Sequence, residues 1–309
     1  MNPYFNQSFF SFFSVLIQRI AAFKGPLVSD EIQLIVLSLI SLMAAILGSF
    51  LVLRKTTMLA NSLSHTILLG IAITYLMMSG VDFYQLSLRT LLVASLITAL
   101  MTTLLTEGLT RFFSLQEDAS IGLVFTTLFA LGIVIVTLYA KNAHIGTEAI
   151  MGNVDALHRR DISPVLAVAG VVLSFVGIFF KPLKVTSFDP ILARGLKISV
   201  PYYHYLLMIL TAIAAIAAFR AVGVFLFLSL LVGPPLIARM FTKNLLSYIF
   251  LSVGVGVVAS FFAVALSRHF LSIWQMPLST AGIQVCLITL ALVGSSCIYH
   301  RCGRYPQTS

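Results

Sequence analysis

The stretch that decides the architecture is Ile32–Leu53, IQLIVLSLISLMAAILGSFLVL, closed by Arg54-Lys55. It holds 22 residues without a charge. A helix rising about 1.5 Å per residue needs about 20 apolar residues to cross a hydrocarbon core of about 30 Å. Ile32–Leu53 therefore reads as a membrane span. Working outward, the same criterion selects Met58–Met78, Leu86–Thr106, Ser120–Tyr139, Pro164–Phe180, Tyr202–Phe219, Val222–Met240, Leu245–Leu266 and Ala281–Tyr299. Only Arg220 parts two of these runs, so the expected count is eight or nine. The fold class is an all-α, polytopic membrane helical bundle.

Composition agrees. Of the 309 residues, 59% are hydrophobic and 9% charged, against about 25% charged in a soluble domain. Mean hydropathy is +1.04. The formal charge of +9 does not point to nucleic acid, because the cations stand singly at the ends of apolar runs, as interfacial anchors do. If spans alternate, eleven of the nineteen Lys and Arg residues fall on the side of Arg54, Lys55, Arg194 and Lys197. That side is assigned to the cytoplasm. Cys286, Cys297 and Cys302 have no metal-type spacing and read as ordinary helix residues.

Three domain segments are expected. Residues 1–30 hold Phe9, Phe10, Phe12, Phe13, Leu16, Ile17 and Ile20 at helical spacing, with Arg19 and Lys24 following, the pattern of an interfacial amphipathic helix. Residues 31–300 form the membrane domain, including a polar segment at 187–198. Residues 301–309 form a short cytoplasmic tail. Gly233-Pro234-Pro235 should kink its span, and Gly254 and Gly256 should admit a close neighbour.

No GxxxxGK[ST] phosphate loop, HExxH or GxSxG motif is present, so the chain carries no recognisable means of hydrolysing ATP, and no catalytic residue or resident cofactor is expected. Two segments carry the chemistry. In Arg54–Gly70, RKTTMLANSLSHTILLG, Asn61 and His65 stand four apart on one helix face. His65 lies roughly 15 Å past Lys55, near mid-membrane. Such a polar cluster must face the bundle or a water path, and imidazole is a ligand that transition metals accept. In Ser187–Lys197, SFDPILARGLK, Asp189 can cap a short helix with Pro190 at its first position and Gly195 at its end. Outside, His144 and Glu148, and Asp155 and His158, are spaced like ligands but read as solvated loop residues. Arg159-Arg160 is a candidate contact for an acidic docking partner. Glu107 reads as a helix-end charge, and Tyr202, Tyr203, Tyr205 and Trp274 as belt aromatics.

These segments resemble the permease subunits of bacterial ABC importers for manganese, zinc and iron. Arg54–Gly70 is similar to the family's LRR-x-SLLGDALSHAVLPG, Phe188–Leu196 to FDPELARALGL, Glu117–Leu131 to EDAAIGIVFSSLFAL, and Ala221–Arg239 to AVGVLLVVALLVIPAATAR. The resemblance implies a type II importer fold in the bacterial cytoplasmic (inner) membrane. It implies two permeases, cytoplasmic ATP-binding subunits and an extracytoplasmic metal-binding protein, with divalent metal as cargo. It makes Phe188, Asp189, Pro190, Arg194 and Gly195 the segment that couples to the ATPase. The family's aspartate in DALSH is Asn61 here, so this chain looks most like the second permease of a two-permease manganese or iron system, with the missing carboxylate supplied by a different paralogue. The rival reading is a proton-coupled secondary metal transporter with His65 as proton carrier.

Overall fold

The computed structural model describes Tyr4, Phe9–Ala22, residues 28–77, Leu88–Tyr139 and residues 153–301. Its helices are α1 (Phe9–Ala22), α2 (Ser29–Arg54), α3 (Thr57–Met77), α4 (Leu88–Phe112), α5 (Glu117–Tyr139), α6 (Arg159–Ile178), α7 (Phe180–Phe188), α8 (Pro190–Gly195), α9 (Val200–Val222), α10 (Val224–Phe241), α11 (Leu245–Ile273) and α12 (Thr280–Arg301). A 3-10 turn, Val154–Ala156, precedes α6. The described residues contain no strand, as an all-α bundle requires.

Among the described residues, seven helices, α2, α5, α6 and α9 to α12, are long and apolar enough to cross a membrane. With 21 and 25 residues, α3 and α4 also have the length to span. The seven candidate spans are roughly consistent with the expected eight or nine.

Several helices outrun their apolar stretches, because charges at a helix end find partners there. α11 continues past Leu266 to Ile273, and Arg268 in that extension donates Nε to Asp30 at 2.6 Å. α4 continues through Glu107 and Arg111, which pair one turn apart. α6 starts at Arg159 rather than Pro164, since Asp161 in its first turn accepts the His158 amide at 2.9 Å. The break expected near Arg220 falls at Gly223, whose φ of 87° a residue with a Cβ rarely adopts. The segment between α6 and α8, broken in sequence by Lys181, Pro182 and Lys184, is the short helix α7, with Pro182 in the first turn where no amide is needed.

The chain divides into two compact units. The first comprises Met1–Ser49, Asn153–Ala169 and Ala221–Ser309. Its core is tight. The buried Pro234 and Pro235 of α10 have no N–H, so the carbonyls one turn earlier lose their helical donors. One of these, Leu231, faces Gly48, where a Cβ would stand 1.8 Å from the oxygen. A Cβ at Gly233 would stand 2.3 Å from Ile288 of α12. Of the two glycines expected to admit a neighbour in α11, only Gly256 does, against Ser41; Gly254 meets nothing within 4 Å. Ser41 and Ser260 lie 2.9 Å apart, and Gln284 donates to Ser260 at 2.7 Å. In α1, Phe12 and Leu16 are buried and Phe13 meets Phe262 of α11, while Ser14, Ile17 and Gln18 are exposed. Tyr4 and Arg19 both donate to Glu31, at 2.9 and 2.6 Å. Burial, and then the Glu31 carboxylate, push the Tyr4 phenol above its usual range.

The second unit comprises Phe50–Gly152 and Gly170–Arg220. Here α3, α4 and α5 pack together around Leu69, Val124 and Leu128. Gly70 allows close approach to α4, a Cβ there standing 2.8 Å from Thr98 Oγ1. The hydroxyls of Thr66 and Thr102 lie 3.0 Å apart one turn away.

Candidate functional site

The first candidate site is on α3. Thr57 to Met77 runs as one helix, so Asn61 and His65 share a face one turn apart, with Cβ atoms roughly 5–6 Å apart. His65 stands about 12 Å along the helix from Thr57. Its ring is half-buried between Phe125 and Phe129 of α5, at centroid distances of 5.2 and 5.6 Å. Phe125 and Phe129 stack on each other at 5.8 Å. Asn61 is exposed. Among the described residues, no group of three or more His, Cys, Asp or Glu side chains could enclose a metal.

The second is the short helix α8. Asp189 accepts from the amides of Ile191 and Leu192 at 3.0 and 2.9 Å, and Pro190 occupies the first turn. Gly195 is the last helical residue, but it does not make the reversal. Lys197 does, with φ 59°, while Lys197 N bonds Arg194 O at 3.0 Å and Ile198 N bonds Ala193 O at 2.9 Å. That double bond is a Schellman closure with a lysine in the left-handed position. Nothing lies within 4 Å of a Cβ at Gly195. The helix turns apolar side chains outward: Phe188, Leu192 and Leu196 are more than half exposed, and Ile191 reaches 81%. Arg194 is exposed beside them. The capped helix thus presents a contiguous exposed apolar face.

Residues 32–298 match the ABC 3 transport family. The chain belongs to that family. It is 37% identical over 298 residues, 96% of this chain and 94% of the relative, to the Chlamydia muridarum protein named "Probable metal transport system membrane protein". It is 31% identical over 237 residues to the manganese import system permease protein ScaB of Streptococcus gordonii, covering 77% of this chain and 81% of that one. Among solved structures, PsaBC from Streptococcus pneumoniae in complex with Fab superposes with a TM-score of 0.71 at 26% identity, covering 85% of this chain and 89% of that chain. The protein is thus a multi-pass permease of the bacterial cytoplasmic membrane, and its all-helical bundle is the family's fold.

In this ABC 3 permease, one residue of the first quoted motif has a role that sequence reasoning missed. In the sequence Arg54 stands out as the charge that ends the first span on the cytoplasmic side. It is half-buried, and its guanidinium donates to Thr186 Oγ1 at 2.5 Å and Ser187 Oγ at 3.0 Å, in the last turn of α7. Its position at the end of an apolar run was visible; its partners, 132 and 133 residues away, were not. The other expected sites are scattered. Asp155 is exposed but does more than meet solvent: it accepts from Thr280 N at 3.3 Å and from the Thr280 hydroxyl, capping α12. His158 lies near by in sequence, and its ring contacts Ala156 O at 2.8 Å. Arg159 and Arg160 are exposed in the first turn of α6. Glu107 is paired with Arg111. His144 and Glu148 lie outside the described residues.

Proposed function

We propose that this chain is the membrane-spanning permease subunit of an ATP-driven, binding-protein-dependent importer of a divalent transition metal: manganese, iron or zinc. The observation that carries the reading is similarity along nearly the whole chain to a protein named for metal transport, and along 77% of it to a manganese import permease. ATP is hydrolysed by cytoplasmic partner subunits. An extracytoplasmic metal-binding protein delivers the cargo, and lipid surrounds the bundle.

In this reading the metal passes the α3 face that carries Asn61 and His65. A transit site must release what it binds, so one imidazole and one amide oxygen suit it better than a closed cage. Asn61 adds no charge, and the missing carboxylate comes from a second, different permease. The exposure of Asn61 and the half-burial of His65 suit a face completed by another chain. The exposed apolar face of α8 receives the ATPase.

Uptake of radioactive manganese into vesicles holding the full assembly tests both parts. His65→Leu should retain assembly and lose at least about tenfold in uptake; wild-type uptake would overturn the site. Asn61→Asp should hold metal more tightly and release it more slowly. Gly195→Trp has room at its own position, so it should leave the permease folded and block ATPase association. Asp189→Ala removes two bonds to the α8 amides and should weaken that association. Normal association in both would overturn the coupling role. Native mass spectrometry decides the pairing: a fully active assembly containing only this permease counts against a second paralogue.

A further inference from the structure

The last turn of α2, the end of α7 and the start of α3 converge on one guanidinium. Phe50, fully buried one turn before Arg54, meets Phe180 at the start of α7 at a centroid distance of 6.3 Å. Arg54 then grips the other end of α7. Its two acceptors are oriented by their own bonds: the Thr186 hydroxyl donates to Pro182 O at 2.8 Å, and the Ser187 hydroxyl donates to Leu183 O at 2.6 Å. With their hydrogens committed to α7, both oxygens offer lone pairs to Arg54. The guanidinium also sits where two helices end, so their C-terminal partial charges favour it. α8 begins three residues after Ser187, at Pro190.

On the other side, α2 ends in the same closure as α8. Lys55 N bonds Val52 O at 3.2 Å, Thr56 N bonds Leu51 O at 3.0 Å, and Lys55 takes φ 61°. Only Lys55 and Thr56 stand between Arg54 and α3. A two-residue link closed by two backbone bonds has little slack, so a displacement of Arg54 displaces the first turn of α3, the helix that carries Asn61 and His65.

We propose that Arg54 is the positioning residue that transmits motion of the α7–α8 segment to α3, linking ATPase contact to the metal path. The inference rests on the coupling role proposed for α8 and adds the route inside this chain. In this role Arg54 acts through Thr186 and Ser187. Lysine cannot replace it fully, because a single ammonium lacks the fork that meets both hydroxyls at once.

The test uses the complete reconstituted importer, reading ATPase association, ATP hydrolysis and manganese uptake together. Arg54→Gln should assemble and hydrolyse ATP while manganese imported per ATP falls at least about tenfold, with Arg54→Lys between it and wild type. Thr186→Val with Ser187→Ala, which leaves the arginine in place, should lower the same ratio. Adding both to Arg54→Gln should cost little more, since all three remove one linkage. An unchanged ratio in Arg54→Gln overturns the proposal. So do additive losses, or a normal ratio in Thr186→Val with Ser187→Ala when Arg54→Gln fails to assemble. Gly195→Trp in the same assay separates the two readings. If it associates and transports normally, the α8 coupling role fails; if it uncouples while Arg54→Gln does not, only the Arg54 link fails.

Discussion

α2 and α5 look alike in sequence and differ in their surroundings. Their most apolar windows have mean hydropathies of 2.6 and 2.0, yet 78% of the α2 window is buried inside the protein and only 28% of the α5 window. α2 meets Leu231, Ser260 and Arg268 through Gly48, Ser41 and Asp30. α5 meets α3 and α4 along one side and leaves Leu123, Leu131, Val134 and Leu138 exposed. In water such a surface would be buried. In lipid it costs nothing, so hydropathy reports the solvent and not the neighbour.

The difference can be broken first at the glycines. Gly48→Ala places a Cβ 1.8 Å from a backbone oxygen that cannot swing aside, and overpacking of this kind should cost about 3 kcal/mol or more. Thermal unfolding in detergent should show a large fall in midpoint or no folded protein. Ordinary stability in this variant would mean that α2 and α10 are not in close contact.

The ion pairs come next. Asp30 is 1% exposed and held by Arg268. Asp30→Ala leaves a cation without its carboxylate and should destabilise by about 3 kcal/mol. The Glu107–Arg111 pair is solvated, and Glu107→Ala should change stability by less than about 1 kcal/mol. Equal effects would erase the contrast between a pair sealed among helices and one on a helix surface.

Two smaller substitutions sharpen it. Gly256→Ala brings a Cβ to 3.3 Å from Ser41 and should cost about 1 kcal/mol. Gly122→Ala on α5 meets nothing within 4 Å and should be neutral or stabilising by up to about 1 kcal/mol, the helix-propensity gain. A destabilised Gly122→Ala would show that this face of α5 is covered.

The local geometry of the two polar segments is legible in the sequence. The four-residue spacing of Asn61 and His65 places them together on any helix, and Asp189-Pro190 spells an N-terminus that forms as read. What stayed hidden was non-local. Gly195 looked like the residue that reverses the chain, but Lys197 takes the left-handed turn, because the closure depends on which amides reach Arg194 and Ala193. Asp155 looked solvated until Thr280, 125 residues on, met it.

By itself the sequence determined the solvent, the helical class, the approximate number of spans and the two polar segments, because each rests on local spacing and on the cost of bare backbone in lipid. The tertiary structure alone decided which glycine is a contact, how far α4 and α11 run beyond their apolar stretches, and what Arg54 holds. A span apolar on every side carries no periodic mark of the face its neighbours cover, and a charge at its end shows its role only when the fold brings a partner within hydrogen-bond distance.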